Sequence, residues 1–189
     1  RKKRSLSPSG AALALVVANA GFVAAEFALV AVDRARIDER AGQGQARAAA
    51  VQRLLSRLSY HLSGAQLGIT ITSLLLGVLA EPAVARVLEP GIEAAFGEVP
   101  TGVSVAIALA VATVVQMIFG ELIPKAIATT RPLETSLAMA RPTQLYGVVA
   151  RPLVALLDGM ASRLTRRVGV EPTEELEVVP DRGELEHLI

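Results

Sequence analysis

The sequence predicts an all-α integral membrane domain: three transmembrane helices followed by a belt of juxtamembrane helices. Three observations carry that prediction. Three apolar stretches are each long enough to cross a hydrocarbon core of about 30 Å. The mean hydropathy is +0.47, with 52% hydrophobic residues over 189 positions, which a soluble domain of this length seldom reaches. The third stretch runs straight into Gly120-Glu121-Leu122-Ile123-Pro124-Lys125, so charge and a helix-perturbing proline meet at the end of a span.

The first span covers Ala11 to Val32, interrupted in polarity only by Asn19 and Glu26. Arg1-Lys2-Lys3-Arg4 precedes it as in a signal peptide, but the apolar run is too long and carries Glu26, so a retained helix is expected. Asn19 and Glu26 are seven residues apart and share a helix face. A polar connector from Asp33 to His61 holds Arg34, Arg36, Arg40, Arg47, Arg53 and Arg57. Gly42 and Gly44 mark breaks in it, and a short helix is expected over Ala46 to Leu58.

The second span, Leu62 to Ala80, has no charged residue. Gly64 and Gly68 form a G-x-x-x-G pair that admits a close neighbouring helix, and Gln66, Thr70, Ser73 and Gly77 line one face. The following stretch, Glu81 to Gly102, is acidic and punctuated by Pro82, Pro90 and Pro100, as expected of a loop. The third span begins near Val103 and places Thr113, Gln116 and Gly120 on one face, a second polar stripe that converges on Glu121. Pro124 has no amide proton for the carbonyl four residues back, so the Gly120 oxygen should be free beside the Glu121 carboxylate. Hard oxygen ligands of this kind suit a small cation such as Mg²⁺. Glu121 and Lys125, four residues apart, fit an intrahelical ion pair equally well. Glu26 fits a second ligand, a coupling-ion site or a boundary acid paired with Arg34 or Arg36, and the hydroxyls of Thr70, Thr72 and Ser73 fit simple bonding back to helix carbonyls.

Beyond Lys125, Arg131-Pro132, Arg141-Pro142 and Arg151-Pro152 recur every ten residues. Proline in the first turn of successive short helices explains the prolines, and snorkelling to lipid head groups explains the arginines. The organisation expected is a tail over residues 1–10, a membrane core over 11–128, juxtamembrane helices over 129–168 and a charged linker over 169–189. The arginine and lysine distribution puts the connector and the C-terminus in the cytoplasm and the N-terminus outside, against the basic tail at residues 1–4. A net charge of +1 from 19 basic and 18 acidic residues gives no reason to expect nucleic acid as a partner. The chain has no cysteine, which excludes thiolate metal sites and disulfides. His61 and His187 are the only histidines, and no zinc-protease, nucleophile-elbow or phosphate-loop motif occurs, so the chain is not expected to be an enzyme.

The run Asn19-Ala20-Gly21-Phe22-Val23-Ala24-Ala25-Glu26-Phe27-Ala28-Leu29-Val30, the run Gln66-Leu67-Gly68-Ile69-Thr70 and Gly120-Glu121-Leu122-Ile123-Pro124-Lys125 together resemble the transmembrane domain of the CorC/cyclin M family. Its bacterial members are often labelled hemolysin-like. The resemblance implies a homodimeric protein of the plasma membrane that binds Mg²⁺ between helices and exports it against Na⁺ influx. It also implies paired nucleotide-binding CBS modules beyond this domain, of which the acidic segment before Ile189 looks like the leading edge. Carried over, Glu121, Gly120 and Pro124 are the core of the metal site, with Asn19, Gln66 and Thr70 as neutral donors from the other helices. Glu26, Ser73, Gln116 and Lys125 are candidates for a coupling-ion or structural role. Two departures bear on ion identity: Val23 and Ala25 stand where family members that bind Mg²⁺ well tend to have serine, and no asparagine lies near Gln66 or Thr70.

Overall fold

The computed structural model describes residues 8–96 and 100–167, all helix and connecting turns among the described residues. Helix α1 (Pro8–Ala31) and helix α4 (Leu58–Phe96) supply two apolar spans. A continuous helical run supplies the third, formed by α5 (Thr101–Gln116), a π-helical segment (Met117–Leu122) and α6 (Ile123–Thr130). The segments long and apolar enough to cross a membrane are Gly10–Ala31, Leu58–Val78 and Gly102–Thr130. Their 22, 21 and 29 residues extend roughly 33, 32 and 44 Å at the helical rise of 1.5 Å per residue. α1 is the central element, packing against α4, the π segment, α6 and α7 (Pro132–Arg167).

The polar connector folds into two helices where one was expected. Asp33 starts α2 (Arg34–Gly42), its Oδ1 accepting the Ala35 amide proton at 2.9 Å, a side-chain cap that satisfies an otherwise orphaned donor. Ile37, fully buried, anchors this otherwise polar helix. The turn to α3 (Ala46–Leu55) closes through Gly44 at φ +83°, a backbone region glycine enters without strain. Leu29 of α1, Val32 just beyond its end, Ile37 of α2, Val51 and Leu54 of α3, and Ala140 of α7 form the main buried apolar cluster. It lies beside the end of α1 and not among the spans, as expected when lipid already solvates apolar side chains within the bilayer.

The prolines interrupt less than the sequence reading expected. α4 continues to Phe96 through Pro82 and Pro90, where a loop was expected. α7 is one 36-residue helix that begins at Pro132 and contains Pro142 and Pro152, in place of several short helices. Each proline deletes one hydrogen bond, but a broken helix would strand several backbone groups, which an apolar setting penalises more heavily. Of the expected tail over residues 1–10, residues 8–10 belong to α1, while residues 1–7 and the expected linker over 169–189 lie outside the described residues.

Close packing rests on Gly68. A Cβ there would stand 2.7 Å from the Phe22 ring of α1, and that ring is held edge-on to Tyr146 of α7 at 4.6 Å between centroids. Gly64 is looser, with Tyr146 and Val154 atoms 3.8 Å from its virtual Cβ.

Candidate functional site

Asn19, halfway along α1, is 0% exposed and ties the three spans together. Its Nδ2 donates to the Gly120 carbonyl of the π segment at 3.2 Å. Its Oδ1 accepts from Thr72 Oγ1 at 2.7 Å and from Ser73 Oγ at 3.3 Å, both on α4. The amide orientation follows from the partners: a carbonyl accepts only, so the NH₂ faces Gly120 and the oxygen is left to the hydroxyls. Thr72 Oγ1 also lies 2.8 Å from the Gly68 carbonyl and 3.0 Å from that of Ile69, so its single proton has an intrahelical alternative.

Pro124 accounts for the other half of the junction. Without an amide proton at 124 the α pattern cannot close onto Gly120. The helix widens upstream, and the Ile123 amide donates to the Ile118 carbonyl five residues back, the bonding pattern of a π-bulge. The Gly120 carbonyl is thereby available to Asn19. Gly120 is buried, and a Cβ on it would stand 3.0 Å from Asn19 Nδ2, so any side chain there would push the amide away. Pro124 is buried and sits at the start of α6, and the chain continues through it as helix without ending.

The remaining candidates divide sharply. Glu121 is exposed, as are Phe119 and Leu122 beside it in sequence. No ion pair within 4.0 Å joins it to Lys125 among the described residues. The Lys125 Nζ instead lies 4.5 Å from the centre of the Phe27 ring, in a cation–π contact. Glu26 is half-buried, and no ion pair within 4.0 Å joins it to Arg34 or Arg36 among the described residues. Gln66 and Thr70 are exposed, and Thr70 Oγ1 bonds back to the Gln66 carbonyl at 2.8 Å, so neither reaches the junction. Gln116 is half-buried, its Cγ 3.6 Å from the virtual Cβ of Gly120. Ser73 does join, as a weak donor to Asn19.

Thr72, which lies off the polar stripe, is the α4 hydroxyl with the short bond to Asn19. Gly64, Gly68 and Thr72 recur every four residues and form the contact face of α4, so the small-residue spacing, not the polar stripe, points to the hydroxyl that meets Asn19. Val23 and Ala25 are buried. No group of three or more His, Cys, Asp or Glu side chains able to hold a metal occurs among the described residues. The groups that meet at the junction are two hydroxyls, an amide and a freed backbone carbonyl, all of them neutral.

A three-span helical bundle locked by a buried asparagine onto a proline-relaxed π segment defines a polytopic membrane domain. Residues 10–189 match the family described as the cyclin M transmembrane N-terminal domain, and the chain belongs to that family. It is similar to UPF0053 protein MT1890 of Mycobacterium tuberculosis, 41% identical over 181 residues that make up 95% of this chain and 40% of the relative. It is also similar to UPF0053 protein YhdT of Bacillus subtilis, 38% identical over 179 residues, 93% of this chain and 38% of the relative. The chain thus spans less than half the length of these two relatives.

Proposed function

We propose that this membrane domain transports a divalent cation, with Mg²⁺ as the cargo, Na⁺ influx as the driving gradient and export as the direction. The observation that carries the proposal is the Asn19–Gly120–Thr72–Ser73 junction, where oxygen donors from three spans meet next to the Glu121 carboxylate in sequence. The junction is internally bonded, so a cation would bind by replacing weak contacts such as the 3.3 Å bond from Ser73. In this reading Glu121 supplies charge, Gly120 and Asn19 supply neutral oxygen, and Glu26 is the acid through which a coupling ion acts. Transport and not catalysis is the activity.

The working unit is a homodimer in the plasma membrane, N-terminus outside and C-terminus cytoplasmic, with nucleotide acting only through CBS-type modules beyond this domain. The third span supports the dimer. It is the least covered span, exposing Val111, Val114, Met117, Ile118, Phe119 and Leu122 around an exposed Glu121. A carboxylate facing acyl chains costs about 2.5–3.5 kcal/mol or more, and a second copy or a water-filled cavity between copies relieves that cost.

One observation favours a second reading, a non-transporting anchor or sensor for such modules: Asn19, Thr72 and Gly120 already satisfy one another, as a purely structural lock would. Thermal unfolding of the purified domain in Mg²⁺, Ca²⁺, Mn²⁺ and Na⁺ separates the two. Transport predicts saturable stabilisation by Mg²⁺ that Glu121→Gln removes without lowering the cation-free midpoint. Stability indifferent to every cation refutes the transport reading and leaves the anchor.

A further inference from the structure

A crevice of about 360 Å³ opens between α3, the start of α4 and α7, well away from the Asn19 junction. It is lined by Arg53, Arg57 and Arg151, with Tyr60, His61, Gln144, Gly147 and Val148. The arginines come from three different places: Arg53 from the last turn of α3, Arg57 from the α3–α4 turn and Arg151 from α7. All three are exposed, and no carboxylate lies within 4.0 Å of any of them among the described residues. Three cations facing one crevice without an acid is an unfavourable arrangement unless an anion enters it.

The frame of the crevice is fixed. Tyr60 Oη donates to the Gly147 carbonyl at 2.8 Å, and Gln144 Nε2 donates to the Ala50 carbonyl at 3.1 Å, cross-tying α4 and α3 to α7. The His61 ring packs onto Gly147, its nearest atom 3.2 Å from where a Cβ would stand, so a side chain at 147 would press on the ring. The guanidinium groups are thus carried on a braced scaffold, which reduces the ordering cost of binding.

Location selects the class of anion. The membrane-crossing part of α4 starts at Leu58, so Arg53 and Arg57 lie just beyond the end of a span, at head-group level. Val148 on the crevice wall is 73% exposed and continues into Leu145 at 70% and Val149 at 72%, an apolar strip on the outer surface of α7. A phosphate with attached acyl chains satisfies both halves of this surface, and a free phosphate only one. We propose that the crevice is a binding site for an acidic phospholipid, its phosphate held by Arg53, Arg57 and Arg151 and its acyl chains lying along Leu145, Val148 and Val149. Guanidinium forks bind phosphate oxygens in pairs, and basic recesses between helices at the membrane boundary favour acidic head groups.

The test is saturation binding of fluorescent phosphatidylglycerol to the full chain in neutral detergent, with phosphatidylcholine and sn-glycerol 3-phosphate as competitors. Saturable binding is expected, displaced by unlabelled phosphatidylglycerol but not by equimolar phosphatidylcholine or glycerol phosphate. Each arginine removed should weaken it roughly fivefold. Arg151→Gln alters one exposed side chain and keeps the assay usable if the triple Arg53→Gln/Arg57→Gln/Arg151→Gln variant unfolds. Arg141→Gln, outside the crevice on the same helix, should change affinity less than twofold, and Arg151→Lys should retain more binding than Arg151→Gln. Equal weakening by Arg141→Gln would reveal diffuse surface charge and overturn the site. Displacement by glycerol phosphate at the lipid's own concentration would overturn the lipid as ligand.

Discussion

Replacing Asn19 by alanine tests the junction most directly, because its three partners lose different amounts. The Thr72 hydroxyl already lies 2.8 Å from the Gly68 carbonyl and can turn to it completely, and the Ser73 contact at 3.3 Å is weak from the outset. The loss therefore concentrates on the Gly120 carbonyl, which Pro124 cannot recapture. A stranded buried acceptor costs about 1–3 kcal/mol, while interhelical hydrogen bonds in membranes average nearer 0.6 kcal/mol. We expect Asn19→Ala to lower stability by about 2 kcal/mol, with Thr72→Val below about 1 kcal/mol because no acceptor is orphaned on its own helix. Asn19→Asp should be worse than alanine: it keeps the size but turns an oxygen toward the Gly120 carbonyl and buries a carboxyl without a cation. Reversible denaturant unfolding in mixed micelles measures all three variants. If Asn19→Ala stays within about 0.5 kcal/mol of the parent, or Asn19→Asp is the milder change, the junction is not what holds the spans together.

Gly68→Ala should destabilise the domain by about 1–3 kcal/mol through its clash with the Phe22 ring, while Gly64→Ala should be nearly silent, both read by thermal unfolding. Sidedness is checked by cysteine labelling in intact cells against a chain with no native thiol: Gln45→Cys should resist an impermeant reagent and Glu93→Cys should react, and the reverse would invert the topology. Gln45 is preferred over Gly44 because a side chain at φ +83° would be strained. Pro124→Ala should let the helix recapture the Gly120 carbonyl, raising apo stability and weakening Mg²⁺-dependent stabilisation, whereas Lys125→Met should leave that stabilisation intact because Lys125 packs on Phe27. Loss of the Mg²⁺ response in Lys125→Met with none in Pro124→Ala would restore the ion-pair reading of Glu121 and Lys125.

The spans were legible because apolar length is a one-dimensional property, and the family resemblance followed from ordered local runs. The freed Gly120 carbonyl was legible for a similar reason: proline's missing proton acts at a fixed offset along one chain. Its partner was not. Periodicity assigns Gln66, Thr70 and Ser73 to one face of α4 but says nothing of how that helix is rotated toward α1, and the rotation is set by Gly68 yielding to Phe22. With Gly68 against α1, Thr72 one turn further along must also face α1 and meets Asn19, while Thr70 turns outward and bonds to its own helix. The same reasoning explains the prolines. Each was read as a local break, yet α7 carries Pro142 and Pro152 without ending because the cost of one missing bond is weighed against several exposed backbone groups. At Pro124 the defect has a long-range partner, since a buried amide 105 residues earlier in the chain, on α1, reaches the oxygen that the proline leaves behind.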